Sequence, residues 1–170
     1  MSSEIARSLR KYTLCGAIFM AAAVPRPSEA AFCSVTAAAM NFGVYDPLST
    51  IADDSTTTVT LRCIISSLFG SEVVAYVVTA SAGTGSFADR WLTSGANRLS
   101  YNLYVSPAMS PATVWGDGSG GTQRFTGSLP AISLANPLAT ANLTVYGRIA
   151  ARQDVPIGVY SASVIITMDF

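Results

Sequence analysis

The chain has 170 residues, half of them apolar, with only 12% charged and a formal net charge of zero. That composition excludes a disordered acidic or basic tail protein, and the length suffices for one domain with a real core. The only lysine is Lys11, so no basic patch is present to neutralise phosphates, and nucleic acid is not expected as a partner.

Residues 1–31 read as a secretory signal. Arg7, Arg10 and Lys11 form a basic start, and Tyr12 to Val24 form a short apolar stretch. That stretch falls short of the roughly 20 residues a membrane span needs. Small residues then offer cleavage after Ala31 or after Ala30. Cys15 lies in the apolar stretch with Leu14 before it, a poor match to a lipoprotein cleavage site, and is expected to be discarded. The remaining Cys33 and Cys63 make an even pair, most simply a disulfide in an oxidising compartment. A metal site or a catalytic thiol would want histidine nearby, and the chain has none.

Phe42-Gly43 with Asp46-Pro47 predicts a short strand closing into a turn. A polar loop follows over 49–55. In Thr56 to Cys63, Thr57, Val59, Leu61 and Cys63 share one face, so Cys63 points with the apolar residues. Glu72 to Ala80 is apolar on both faces and rich in β-branched residues, which predicts a central strand. Gly83 and Gly85 break it. Asp89 to Leu92 is a short segment before a turn at Ser94 to Asn97, and Arg98 to Val105 alternates again. A glycine-rich loop covers 115–121, and residues 122–141 read as a long polar, proline-marked connection. Asn142 to Ala150 returns to alternation, with Leu143, Val145 and Ile149 inward.

The last stretch, 160–170, places Tyr160, Ala162, Val164, Ile166, Met168 and Phe170 on one face. The other face carries Ser161, Ser163, Ile165, Thr167 and Asp169. A strand this apolar must be paired along its length, within the fold or with a partner. Apolar residues nowhere recur at helical spacing after the leader. Short strands separated by turn signals predict an all-β sandwich or barrel of one domain, residues 32–170.

Without histidine, a Ser-His-Asp or Cys-His arrangement is impossible. The acids Asp46, Asp53, Asp54, Glu72, Asp89, Asp117, Asp154 and Asp169 fall mainly in turns and loops, and nothing marks a carboxylate pair for glycoside hydrolysis. The loop Gly116 to Gly121 lacks the lysine and following helix of a phosphate loop. One aspartate is too few ligands for calcium. Tyr101, Tyr104, Trp115 and Tyr146 read as core and sheet packing. No catalytic residue, metal ligand or cofactor is expected.

Seven landmarks occur in one order: Phe42-Gly-Val-Tyr-Asp-Pro47, Leu61-Arg-Cys63, Arg90-Trp-Leu92, Leu99-Ser-Tyr-Asn-Leu-Tyr104, Trp115-Gly-Asp-Gly118, Val145-Tyr-Gly-Arg-Ile149 and Gly158-Val-Tyr160. Together they resemble the spore coat protein U domain family, which includes Csu-type subunits of archaic chaperone–usher pili and secreted spore coat proteins. The resemblance implies an immunoglobulin-like β-sandwich lacking its last strand and open to donor-strand complementation. A periplasmic chaperone would lend a strand, an outer-membrane usher would assemble the subunits, and a neighbouring subunit's extension would then replace the chaperone. It further implies that Val164, Ile166, Met168 and Phe170 line or border the acceptor groove. Localisation would be secreted through the periplasm to the cell surface, as pilus or coat.

The family pattern also calls for a donor extension of alternating residues ahead of the first cysteine. Cleavage after Ala31 leaves only Phe32, and cleavage after Ala23 leaves Val-Pro-Arg-Pro, whose prolines suit a ladder strand badly. The expectation is therefore a tip or non-polymerising subunit. The alternatives are a self-completed binding module of the adhesin type, presenting loops such as 116–121, and a secreted hydrolase.

Overall fold

Threonine and valine dominate the longest strand, Asp53–Ile65 (β2), where β-branched side chains pack well on a pleated surface. In the computed structural model, which describes residues 31–65, 71–130 and 132–170, the other strands are Ala31–Ala37 (β1), Ser71–Glu72 (β3), Ala75–Ala80 (β4), Arg90–Ser94 (β5), Asn97–Tyr104 (β6), Phe125–Ser128 (β7), Ile132–Ser133 (β8), Leu138–Ile149 (β9) and Ile166–Asp169 (β10). The expected leader covers residues 1–31, of which 1–30 lie outside the described residues. A five-stranded sheet runs β1-β2-β9-β6-β5, a three-stranded sheet runs β10-β4-β7, and β3 pairs with β8. Every ladder is antiparallel.

The two larger sheets face each other across one core. Val59 and Leu61 of β2, Leu99, Tyr101 and Leu103 of β6, and Val145 and Ile149 of β9 are buried on the inner face of the first. Tyr76, Val78 and Ala80 of β4 answer from the second. Trp115 fills the space between them, with its indole N–H donating to the Val78 carbonyl at 3.3 Å and its ring edge-on to Phe125 at 5.4 Å. This is the expected all-β, immunoglobulin-like sandwich.

Cys33 lies directly across from Cys63 in the β1–β2 register, and the two form a disulfide with Cα atoms 4.1 Å apart. Outside the core, Asp54 and Arg148 face each other on β2 and β9. Arg148 donates to both carboxylate oxygens, Nε at 2.6 Å and Nη2 at 2.7 Å. The Arg148 hydrogen bonds and charge hold the Asp54 carboxyl below its ordinary value, while burial and the Asp54 charge raise its neighbour Asp53.

Five sequence expectations change. The short strand expected at Phe42-Gly43 does not form, because that stretch has no ladder partner, and only the turn at 47–48 is present. β2 begins at Asp53, inside the stretch read as a polar loop. The single strand expected over 72–80 is divided into β3 and β4. The connection expected over 122–141 holds β7, β8 and the first residues of β9. β7 escapes the alternation test because it contains Gly127, which is required there: a Cβ would meet the Tyr76 hydroxyl oxygen at 2.7 Å. The strand expected over 160–170 is laddered only from Ile166 to Asp169.

Two outcomes follow from these pairings. The disulfide spans a sequence separation of 30. Reducing it, or replacing Cys63 by alanine, should lower unfolding free energy by about 3–4 kcal/mol on the chain-entropy account, measured by urea titration with and without reductant. Asp54→Asn should cost only about 0.5 kcal/mol at neutral pH, since both partners are more than a third exposed. Because the folded carboxyl titrates below its unfolded counterpart, that increment is complete above about pH 4 and disappears as pH falls through the folded value. Stability curves of wild type and variant should therefore converge in acid.

Candidate functional site: an open seam between the sheets

The fully buried side chains come from β2, β4, β5, β6, β8, β9 and the loops between them. None of the fully buried side chains belongs to residues 31–47 or 150–170. Those two stretches are the lips of an unclosed seam.

The first lip, residues 38–47, continues β1 without forming a ladder. Side chains fasten it instead. The Thr57 hydroxyl donates to the Ala38 carbonyl at 2.8 Å and the Ser55 hydroxyl to the Asn41 carbonyl at 2.6 Å. Tyr45 donates its hydroxyl to the Ala150 carbonyl at 2.9 Å and accepts from the Gln153 N–H at 2.7 Å. Phe42 packs edge-on to Tyr101 at 6.2 Å between centroids. Met40 and Phe42 both press over Gly147, where an added Cβ would collide with them.

The second lip, residues 155–166, leads into β10. Ser161 exchanges two backbone hydrogen bonds with Thr93 of β5, at 2.9 and 3.1 Å. Four residues on, the Ile165 carbonyl accepts from the Ser81 N–H at 2.8 Å, and the Ile165 N–H donates to the Ser81 hydroxyl at 2.9 Å. Since backbone groups alternate sides along an extended chain, the N–H and C=O of Ala162 and Val164 point the other way, toward the seam. Among the described residues no hydrogen bond uses them.

Between the lips lies a cleft of about 930 Å³. Its floor is Val59, Leu99, Leu103, Trp115 and Val145, and no charged side chain lines it. Part of the rim is aliphatic and exposed, with Val44 at 95% and Val159 at 87%. Chemically the cleft offers an apolar trough beside a row of unused backbone donors and acceptors. It suits an extended, uncharged segment.

Of the residues expected at a groove, Val164 and Ile166 line the cleft. Met168 is half-buried against the core beyond its end, and Phe170 is 62% exposed outside the lining. Tyr160 and Ala162, on the same face, line it as well. Sequence reading missed the contribution of the first lip, since it took Phe42-Gly43 only as a short strand closing into a turn. It also missed Gly147, whose only signal was a glycine inside an otherwise regular strand. The loop at 117–121 is a self-contained turn: Asp117 accepts from the Ser119 N–H at 2.8 Å and hydroxyl at 2.6 Å, which holds its carboxyl below the ordinary value. Among the described residues, no three His, Cys, Asp or Glu side chains gather into a metal-holding group.

This architecture defines a class: an incomplete all-β sandwich with an open seam beside its last strand. The model of the Spore Coat Protein U domain family matches residues 19–167, and the chain belongs to that family. No curated protein matches it in sequence. Among solved structures, 12 chains match. One is a chain in the crystal structure of the CsuC–CsuE chaperone–tip adhesion subunit pre-assembly complex from archaic chaperone–usher Csu pili of Acinetobacter baumannii, with a TM-score of 0.54 and 18% identity. The match covers 83% of this chain and 40% of that one, so this chain spans less than half the length of the matched chain and shares its fold.

The lip–sheet contact can be tested directly. Gly147→Val should force Met40 and Phe42 off β9 and destabilise by about 1–3 kcal/mol, the ordinary cost of overpacking. Gly147→Ala should cost less, because the flexible end of Met40 can move aside. Urea midpoints of the two variants measure the difference.

Proposed function

We propose that this protein is a non-enzymatic structural subunit of a surface assembly, a pilus or coat, whose seam is filled by a β-strand from another polypeptide. In this reading a periplasmic chaperone supplies that strand first, and a neighbouring subunit replaces it during assembly at an outer-membrane usher. The observation that carries it is the row of unpaired backbone groups at Ala162 and Val164 flanking a chargeless cleft. Ladder hydrogen bonds would supply affinity, and side chains entering at every second position would set register. Left empty, such an edge invites aggregation, which gives a reason for a chaperone. Membership of the spore coat protein U domain family and the fold shared with a chain of a chaperone–adhesin complex support this reading. Secretion through the periplasm belongs to it, as do the expected leader and the disulfide.

An end position in the assembly, the tip, is the finer form of the proposal. It rests on the stretch ahead of Cys33: cleavage after Ala31 leaves only Phe32, and cleavage after Ala23 leaves Pro25 and Pro27, and proline cannot donate to a ladder. Fibres built of this chain alone would overturn it.

Periplasmic expression with and without a strand-donating chaperone, read by size-exclusion chromatography, tests the main reading. Recovery only as a one-to-one complex is expected. Val164→Lys should weaken that complex ~100-fold, because an unpaired ammonium would enter the apolar cleft at a cost of about 3 kcal/mol. A stable monomer recovered alone, indifferent to Val164→Lys, would overturn the proposal.

A further inference from the structure

Arg90 is completely buried, yet no carboxylate accompanies it: the one ion pair among the described residues is Arg148 with Asp54. Its guanidinium is held by neutral oxygens. Nη1 donates to Asn102 Oδ1 at 2.6 Å, and Nη2 donates to the carbonyls of Trp115 at 2.7 Å and Ser81 at 3.0 Å. Phe87 lies with its ring centroid 5.2 Å from the guanidinium carbon. Nε is the one buried side-chain polar atom without a partner among the described residues. Burying an unpaired charge costs several kcal/mol, and a well-packed apolar side chain is often the more stable choice. A residue in this position is doing something that packing alone would not require.

The Ser81 carbonyl shows what that is. Two residues paired across an antiparallel ladder ordinarily exchange both N–H···O=C bonds. Ser81 and Ile165 make only one of them, from the Ser81 N–H. The Ser81 carbonyl is turned inward to Arg90, and the Ile165 N–H is taken by the Ser81 hydroxyl instead. The ladder between β4 and β10 therefore ends at Ala80 and Ile166. Beyond that point the last stretch leans to β5 through Ser161 and Thr93, and Gly83, at a φ of 63°, lets the chain pass close under Ser163. The same guanidinium holds Trp115, which floors the cleft.

We propose that Arg90 is the positioning residue of the strand-accepting edge: by capturing the Ser81 carbonyl it diverts residues 161–165 from β4 and fixes them, relative to Trp115, with the backbone of Ala162 and Val164 turned to the seam. The role rests on the acceptor reading of the cleft. Its structural half stands independently of any ligand.

The test uses Arg90→Lys, which keeps the charge but loses the fork, with Ser81→Ala and Ser81→Thr, which remove and restore the hydroxyl acceptor. Two quantities are read. The first is amide hydrogen exchange at Ser161 and Ile165 relative to Leu61 and Val145 in the free protein. The second is binding of a capped peptide of alternating valine and threonine, long enough to span residues 160–168. Arg90→Lys and Ser81→Ala should each speed exchange at Ser161 and Ile165 ~10-fold while Leu61 and Val145 hold, and should weaken the peptide ~10-fold, with Ser81→Thr near wild type. Should Arg90→Lys not fold, Asn102→Ala, which removes the acceptor that holds Nη1 and leaves the Ser81 hydroxyl in place, carries the same comparison. Unchanged exchange at Ser161 and Ile165, or loosening of all four amides together, would overturn the positioning role. Selective loosening in a protein whose wild type binds no peptide would instead overturn the acceptor reading and leave the positioning role in place.

Discussion

Backbone hydrogen bonding governs this molecule more than its core does. A strand needs partners on both sides or solvent on one, and an apolar strand tolerates solvent poorly. Here the second lip pairs Ser161 with Thr93 at one end and Ile165 with Ser81 at the other, where it joins the β4 ladder. The even-numbered residues carry the apolar side chains and the unused backbone groups together. Both sets face the seam for the same geometric reason, the two-residue period of extended chain. An incomplete ladder and a half-exposed apolar row are thus one defect seen twice. It explains why Tyr160, Ala162, Val164, Ile166 and Met168 are only partly buried while Val59 and Val145 beneath them are sealed.

Such a seam stays open only if its two lips are held apart without being laddered to each other. The first lip is tied at its root by the Cys33–Cys63 bridge and, further along, by single side-chain hydrogen bonds from Thr57, Ser55 and Tyr45. Each of those bonds contributes about 1 kcal/mol net. The disulfide contributes several times that on the entropic account. The root is therefore strong and the far end yielding. The second lip is the reverse: β10 is laddered at its end, and the approach through residues 155–160 is held by little more than the Tyr160 hydroxyl on the Pro156 carbonyl. Both weak stretches line the cleft, and both carry exposed aliphatic side chains, Val44 and Val159.

Sequence periodicity revealed faces but not neighbours. It placed Val59, Leu61 and Cys63 on the core side of β2 and Val145 and Ile149 on that of β9, and the structure agrees. The cysteine count gave the disulfide because two thiols admit one pairing. The alternation of 160–170 was equally plain, yet the same pattern would read identically in a strand paired on both edges. Only the family resemblance separated those cases. Residues 125–128 were invisible because Gly127 trades a side chain for the approach of Tyr76. Arg90 falls within the Arg90-Trp-Leu92 landmark, but no local rule distinguishes an arginine that will be wholly buried from one on a solvated strand. Its acceptors, Ser81, Asn102 and Trp115, are brought together by the fold and share no spacing.

The absence of charge along the cleft bears on how a strand would be chosen. Charged interfaces discriminate through long-range steering and through the penalty for mismatched pairs. A lining of Ala, Val, Leu, Tyr and Trp with backbone amides offers neither. What it does offer is register: a one-residue slip would turn every inward side chain of an incoming strand outward and every outward one into the cleft. Discrimination must then come from where small and large residues alternate along the lips, and from how firmly the unpaired edge is held while pairing proceeds. A loosely held edge would accept neighbouring registers almost equally. Among the described residues, one buried charge bears on how firmly that edge is held. Arg90 lies outside the cleft, and a guanidinium fixed by Asn102, Trp115 and Ser81 is stiffer than any apolar replacement. Its burial is costly as packing and intelligible as a means of keeping residues 161–165 in a single register-defining position.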